Sequence, residues 1–392
     1  MKTLRPLLAA GAMLALAACS LLSPPVKEEP APAPVPVPVE PPKPQYAPSI
    51  DTHRFEIDAA HDDVVGQVQV TVTSKDDTLP DIARRFNLGY EEIVRANPGI
   101  DPWLPGAGKE IVLPTQFVLP NSVRQGIVIN IAAMRLFYFP PAKPGEKQVV
   151  YTHPIGIGRV GWQTPEGSTK VVAKQKDPVW IPPASVRKEH KENGEILPAR
   201  VPAGPDNPLG RYKFTLGWPS YLIHGTNKPY GVGLRSSHGC IRLYPEDVEK
   251  IFAMVNPGTT VTVVNQPFVF GWHDGGLYLQ GFDVLEDDKR DWSKSQPKLL
   301  SKTLSKRIQA ELAARKSTVD WQRVAQITRD PRGLVVSVSS ADQSEDALIA
   351  AAPRVENRIP KGANWDGADD PALQAQSDVK VMVQEQQQAP RS

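Results

Sequence analysis

Hydrophobic positions along the chain follow two periods, and each period marks a different stretch. Val68, Val70 and Val72 alternate with polar residues, which predicts a strand. Asp77-Thr78-Leu79 then leads into Ile82, Ala83 and Phe86, whose spacing of three and four predicts a helix. A second short helix is expected through Glu91, Ile93, Val94 and Ala96, ending at Asn97-Pro98-Gly99, with a closing strand over Lys109 to Pro114. From Gly126 to about Gln266, short runs of Val, Ile, Thr, Tyr and Phe broken by Pro and Gly predict a β-dominated domain. Helical spacing returns there only at Tyr244 to Val255, where Pro245 opens the segment and Val248, Ile251, Phe252 and Val255 recur. Farther on, Phe268 to Phe282 reads as a hairpin, Leu300 to Ala314 as a helix and Gly333 to Ser339 as a strand. The Ala-, Asp-, Gln- and Pro-rich remainder has no period and is expected to be disordered.

The N-terminus differs from all of this. Lys2 and Arg5 precede a run of twelve small or apolar residues, Leu7 to Ala18. A bilayer span needs about 20, so the run reads as an export signal rather than a membrane helix. It closes on Leu16-Ala17-Ala18-Cys19, which resembles the lipobox of bacterial lipoproteins. The resemblance implies acylation of Cys19 after cleavage, and Ser20 implies sorting to the outer membrane. Several acyl chains would make that anchoring permanent, since each buried methylene contributes about 0.8 kcal/mol. From Pro24 to Pro48 proline recurs almost every second residue, a stiff extended spacer that spans roughly 75 Å at about 3.1 Å per residue.

Composition narrows the function. With 45 basic and 43 acidic residues the formal charge is +2, which provides no nucleic-acid footprint. Acylation of Cys19 would leave Cys240 as the only free thiol in an oxidising compartment, where a lone exposed thiol needs a reason. Its surroundings supply one. Ile223-His224-Gly225-Thr226-Asn227 and Ser236-Ser237-His238-Gly239-Cys240-Ile241-Arg242-Leu243 place two histidines, the cysteine and an arginine close together. A free thiol is only a few per cent thiolate at neutral pH, so a nucleophile needs a neighbouring imidazole or cation; on spacing alone, either histidine qualifies. Gly239 permits a tight turn in which the N–H groups of His238, Gly239 and Cys240 converge on an oxyanion. Arg242 presents a planar fork suited to a substrate carboxylate, or else to a structural salt bridge. Two histidines and a cysteine are also legitimate zinc ligands, but no Cys-x-x-Cys or His-Glu-x-x-His pattern supports a metal, and no cofactor motif is present.

Two family resemblances follow from these residues. Asp77-Thr78-Leu79, Ile82-Ala83, Ala96-Asn97-Pro98 and Ile111-Val112-Leu113-Pro114 resemble the LysM peptidoglycan-binding module. Ser237-His238-Gly239-Cys240-Ile241-Arg242 with Ile223-His224-Gly225-Thr226 resembles the L,D-transpeptidase catalytic domain, also called YkuD. Val150 to Gly158, Thr164 to Gly167, Pro178-Val179-Trp180 and Val201 to Gly210 extend the match, most closely to the enteric lipoprotein-attaching subgroup. The expected fold is therefore mainly β: a β-sandwich-like catalytic domain preceded by a small βααβ module. The expected segments are a signal peptide (1–19), a linker (20–66), the LysM-like module (67–116), the catalytic domain (124–266), a partly ordered extension (267–345) and a disordered tail (346–392).

The resemblance implies that Cys240 attacks the bond between meso-diaminopimelate and D-alanine of a peptidoglycan stem peptide and forms a thioester. It further implies that His224 pairs with the thiol, that the Gly225 carbonyl orients its ring, and that His238 and Gly239 serve the oxyanion turn. Arg242, Ser237, Thr226 and Asn227 are expected on the substrate side. The acceptor stays open: a second diaminopimelate gives a 3-3 cross-link, a lysine of a Braun-type lipoprotein gives an anchor, and water gives hydrolysis, as in related amidases that cut the lipoprotein link. A non-catalytic wall tether is the alternative from another class. Either way the protein is expected on the periplasmic face of the outer membrane, associated with the cell wall.

Overall fold

A computed structural model describes residues 46–358 except 51–52, 59–60, 143–144, 293–295, 305 and 340–343. The expected signal peptide, Cys19 and nearly all of the proline-rich spacer lie outside the described residues, as does the chain beyond 358. The linker expected to run to 66 instead contributes two strands, β1 (Arg54–Ile57) and β2 (Val64–Gly66).

The βααβ module has the expected order: β3 (Gln69–Val72), α1 (Leu79–Arg85), α2 (Tyr90–Ala96) and β4 (Glu110–Leu113), with β3 and β4 antiparallel. Local chemistry fixes each boundary. The Thr78 hydroxyl accepts from Asp81 N–H while the Asp81 carboxylate accepts from Thr78 N–H, a reciprocal cap on two orphan donors. Pro80 stands in the first turn, where its missing N–H breaks no helical bond. Asn97 closes α2: its amide donates to the carbonyls of Ile93 and Val112 and accepts from Val112 N–H, which ties the helix end to β4.

The region expected to be catalytic follows with β5 (Gln116–Val118), β6 (Gly126–Asn130), β7 (Arg135–Phe139), β8 (Gln148–Pro154), β9 (Ile157–Gly158) and β10 (Gly167–Lys176). Next come α3 (Ala184–Glu192), β11 (Tyr212–Leu216), β12 (Leu222–His224), β13 (Arg235–Ser237), β14 (Ile241–Arg242), α4 (Pro245–Met254) and β15 (Thr260–Val264). Nine strands form one mixed sheet in the order β1-β8-β7-β6-β15-β10-β11-β12-β14. Helix α4 starts at Pro245 as expected and buries Val248 and Ile251 against Ile223, Ile241 and Leu243 at the β12–β14 end of the sheet. Helix α3 was not legible: of its nine residues only Val186 is buried, so no apolar stripe announces it.

Beyond 266, β16 (Phe268–His273) and β17 (Gly276–Gly281) form the expected hairpin. The single helix expected over Leu300–Ala314 is two, α5 (Gln296–Thr303) and α6 (Lys306–Arg315). Helix α7 (Trp321–Arg329) was not anticipated, and β18 (Val335–Ser337) joins β17. These elements share one core with the βααβ module: Phe268, Trp272, Leu279, Val324 and Ile327 cluster with Val68, Val70, Ala96 and Val112. The expectation of disorder from 346 fails as far as 358. Helix α8 (Glu345–Ala351) forms there, and the chain after it pairs with β3, Val70 N–H donating to Pro353 and Val355 N–H donating to Val70. Val355 is buried on what would otherwise be an open sheet edge, so a partner strand fixed the segment despite its polar composition.

The module is built into the catalytic region rather than tethered to it. Arg135 of β7, 1% exposed, reaches Glu92 of α2 in a bidentate pair at 2.6 and 2.7 Å and donates to the Asn87 carbonyl at 3.1 Å. The first N–H groups of α2, at Tyr90 and Glu91, donate to the carbonyls of Val232 and Gly233, so the catalytic chain caps the helix. Gly233 has φ +85°, and a Cβ there would sit 2.1 Å from Tyr90 N. Arg135→Ala leaves the Glu92 carboxylate buried without its cation and is expected to cost about 3–5 kcal/mol of stability. Urea unfolding measures this, and a loss below about 1 kcal/mol would mean that the pair does not hold the module in place.

Candidate active site

The site is assembled by a short parallel pairing. Ile223 lies opposite Ile241, and His224 opposite Arg242, between β12 and β14. Residues two apart along a strand share a face, so Cys240, one residue before β14, falls on the side of His224 and Arg242. The intervening chain leaves the sheet, pairs with β9 through β13, and returns through the turn Ser237 to Cys240. The Ser237 hydroxyl braces that turn, donating to the Cys240 carbonyl at 2.6 Å and accepting from Gly239 N–H at 3.1 Å. Thr164 adds a bond to the Gly239 carbonyl at 3.0 Å. Gly239 has φ +96°, and a Cβ would lie 2.8 Å from the Tyr221 ring and 3.3 Å from the Gln163 carbonyl, so the position admits only glycine.

Protonation follows from burial. His224 is 4% exposed, and its Nδ1 lies 2.6 Å from the Gly225 carbonyl. A carbonyl only accepts, so Nδ1 carries the proton and Nε2 is left as a lone pair. Burial, and then the Arg242 guanidinium, push this imidazole down to about 3, so it is neutral at physiological pH. Cys240 is the one free cysteine among the described residues, and its thiol lies 3.7 Å from the Ser220 carbonyl. Burial pushes the thiol up, opposed by a backbone hydrogen bond at Leu222 and by Arg242. Both directions favour a neutral thiol and a neutral imidazole on this face of the sheet over a thiolate–imidazolium pair. Arg242 donates to the Ser236 hydroxyl at 3.2 Å. Its Nε is buried without a hydrogen-bond partner, and no acidic side chain pairs with it among the described residues.

The other expected residues divide. Ser237, 1% exposed, is internal to the turn and turns no hydroxyl to the cleft. The Thr226 hydroxyl accepts from Lys228 N–H within its own loop, and the exposed Asn227 amide donates across to the Asp206 carbonyl at 3.3 Å. Of the three amides expected to converge on an oxyanion, that of Gly239 is committed to Ser237. His238 is engaged by other segments: its Nε2 meets Glu189 of α3 at 2.7 Å and Arg159 at 3.1 Å, and its ring stands edge-on to Trp162 at 4.8 Å. Burial, with Arg159 and Arg242, pushes this imidazole down to about 4. Sequence reading missed Glu189, Arg159 and the Ser220–Tyr221 turn, because only the fold carries them to the motif. Among the described residues, no three His, Cys, Asp or Glu side chains gather as a metal-holding group.

Comparison with known proteins matches two segments of the chain to family models. Residues 124–263 match the L,D-transpeptidase catalytic domain, YkuD, and residues 70–114 match the LysM domain. A probable L,D-transpeptidase ErfK/SrfK of Salmonella typhimurium is 38% identical over 283 residues, 71% of this chain and 88% of that protein. Probable L,D-transpeptidase YcfS of Escherichia coli is 40% identical over 63% of this chain and 77% of its own length. Probable L,D-transpeptidase YbiS of the same species is 40% identical over 63% and 79%.

A neutral thiol has a direct kinetic signature. Alkylation of Cys240 by iodoacetamide is expected to be slow at neutral pH and to climb only above the ordinary thiol value of about 8.5, since the thiol is pushed up. A rate already level between about pH 5 and 8 would instead reveal a preformed ion pair.

Proposed function

The chain belongs to the L,D-transpeptidase family, and we propose that Cys240 is its nucleophile and His224 its general base on peptidoglycan stem peptides. As the Cys240 sulfur bonds to the carbonyl carbon of meso-diaminopimelate, Nε2 of His224 takes the thiol proton. The tetrahedral intermediate collapses, the C–N bond to D-alanine breaks, and the imidazolium returns that proton to the leaving amine. A thioester remains. An acceptor amine then attacks it, loses a proton to His224, and the thiol is regenerated as the new amide forms. Without ATP, the energy of the broken amide is conserved only through this covalent intermediate.

The observation that carries the reading is the Gly225 bond at His224 Nδ1, since it leaves Nε2 as the ring's one proton acceptor. With Gly239 N–H committed elsewhere, the amides of His238 and Cys240 are the donors left for the oxyanion. Arg242, half-buried and without an acidic partner among the described residues, suits the substrate's free carboxylate, which would neutralise it. The LysM and transpeptidase domains imply peptidoglycan binding and a cell-wall location. Acylation at Cys19 and outer-membrane anchoring rest on Leu16-Ala17-Ala18-Cys19 and Ser20 alone. The acceptor is an amine, either of a second stem peptide or of a lipoprotein lysine; hydrolysis is the second reading, because nothing in the motif separates water from an amine.

Soluble protein lacking residues 1–19, incubated with disaccharide-tetrapeptide, is expected to release D-alanine and form a cross-linked dimer, and Cys240→Ala to do neither. Tripeptide without dimer would favour hydrolysis, and no reaction would leave a wall-binding tether. Gly239→Ala is expected to lower turnover by about 100-fold or more, the scale of losing an oxyanion donor, and activity within a few-fold of wild type would remove the turn from the mechanism.

A further inference from the structure

Lys176 of β10 pairs directly with Tyr212 of β11, yet residues 177–211 leave the sheet between these two positions. The base of this excursion is clasped by Asn207, wholly buried, whose amide donates to the carbonyls of Pro178, Val201 and Pro202 and accepts from Leu209 N–H. Its far part carries α3, whose one buried side chain is Val186. Little apolar surface therefore holds α3 down, and its firm attachment is polar. Glu189 pairs with Arg159, which follows β9, and with His238 of the Cys240 turn. Arg159 N–H in turn donates to the Ser237 carbonyl at 3.0 Å. Three segments distant in sequence thus meet at one histidine ring, two residues before the thiol.

We propose that Glu189 is a positioning residue for the transpeptidase reaction, fixing the tautomer and orientation of His238 and through it the Ser237–Cys240 turn. Nε2 of His238 faces two groups with opposite demands: the Glu189 carboxylate can only accept a hydrogen bond and the Arg159 guanidinium can only donate one. With Glu189 present, Nε2 carries the proton and donates, while Arg159 bonds the other carboxylate oxygen. Without it, Arg159 is the partner left at Nε2, which must then be the bare nitrogen, and the proton moves to Nδ1. The ring would also lose its hydrogen bond to α3 and keep only Arg159, the edge-on Trp162 and the His190 ring 6.4 Å away. The His238 peptide lies within the turn that directs the oxyanion donors, and displacements of about 1 Å there cost on the order of 100-fold in rate. The excursion is thereby part of the reacting centre: chemistry proceeds only when α3 is seated.

This inference rests on Cys240 being the nucleophile, so wild type and Cys240→Ala are measured alongside. In Glu189→Ala, the ¹⁵N shifts of the His238 ring are expected to report a switch from the Nε2–H to the Nδ1–H tautomer. The kcat for D-alanine release is expected to fall at least tenfold with KM changed less than threefold. Glu189→Gln, whose amide oxygen still accepts from Nε2–H, is expected to keep the tautomer and most of the rate. In a His238→Ala background, removing Glu189 is expected to have no further effect. An unchanged tautomer, a rate within twofold of wild type, a loss confined to KM, or an equal loss in the His238→Ala background would each overturn the proposal. An inactive wild-type enzyme would instead indict the assignment of Cys240.

Discussion

The reactive centre depends on two pairs of residues in parallel register. Ile223 opposite Ile241 and His224 opposite Arg242 are the register pairs between β12 and β14, and they bring the imidazole, the guanidinium and the thiol to one side of the sheet. A parallel pair cannot be closed by a tight hairpin. The chain must travel out and back, and the segment between His224 and Cys240 is that crossover. It pairs with β9, caps α2 of the βααβ module, and re-enters through a turn that only Gly239 admits. Val248 and Ile251 of α4 are buried in the same core as Ile223 and Ile241, so the pairing sits on an apolar base. Partial burial also bears on the chemistry: it pushes the His224 imidazole down and the Cys240 thiol up, so both favour their neutral forms at rest.

The wall-binding module and the C-terminal extension stabilise the same arrangement from outside. The backbone carbonyls that cap α2 belong to the crossover, so docking of the module orders the chain that leads to Cys240. The Arg135–Glu92 pair buries two charges that would be costly apart, which makes separation of module and enzyme unfavourable. On its opposite side the module shares a core with the extension and accepts the chain near Val355 as an extra strand. Any glycan held by the module is therefore held in a fixed relation to the catalytic turn.

What the sequence disclosed follows the range of the interactions involved. The βααβ order was legible because its periodicity, the Thr78 cap and the Asn97 stop are all local. The motif around Cys240 was legible as chemistry, although spacing alone left His224 and His238 equal as bases. The fold separates them, placing His224 in register with Arg242 and turning His238 toward Glu189. Helix α3 escaped notice because a helix held by ion pairs has no hydrophobic stripe. The bracing of the Cys240 turn by the Ser237 hydroxyl was not legible, because a hydroxyl near a nucleophile looks the same in sequence whether it faces solvent or its own backbone. The chain from 346 to 358 looked unstructured because its stabilising partner, β3, lies far away in sequence.

The central claim is that Cys240 holds the acyl group while His224 moves its proton. Rapid-quench mass measurement of the intact protein after mixing with disaccharide-tetrapeptide tests it directly. The account predicts that the protein gains the mass of the donor less D-alanine, that the adduct maps to Cys240, and that His224→Ala largely abolishes it. An adduct that persists undiminished in His224→Ala, or product formation with no adduct on Cys240, would contradict it.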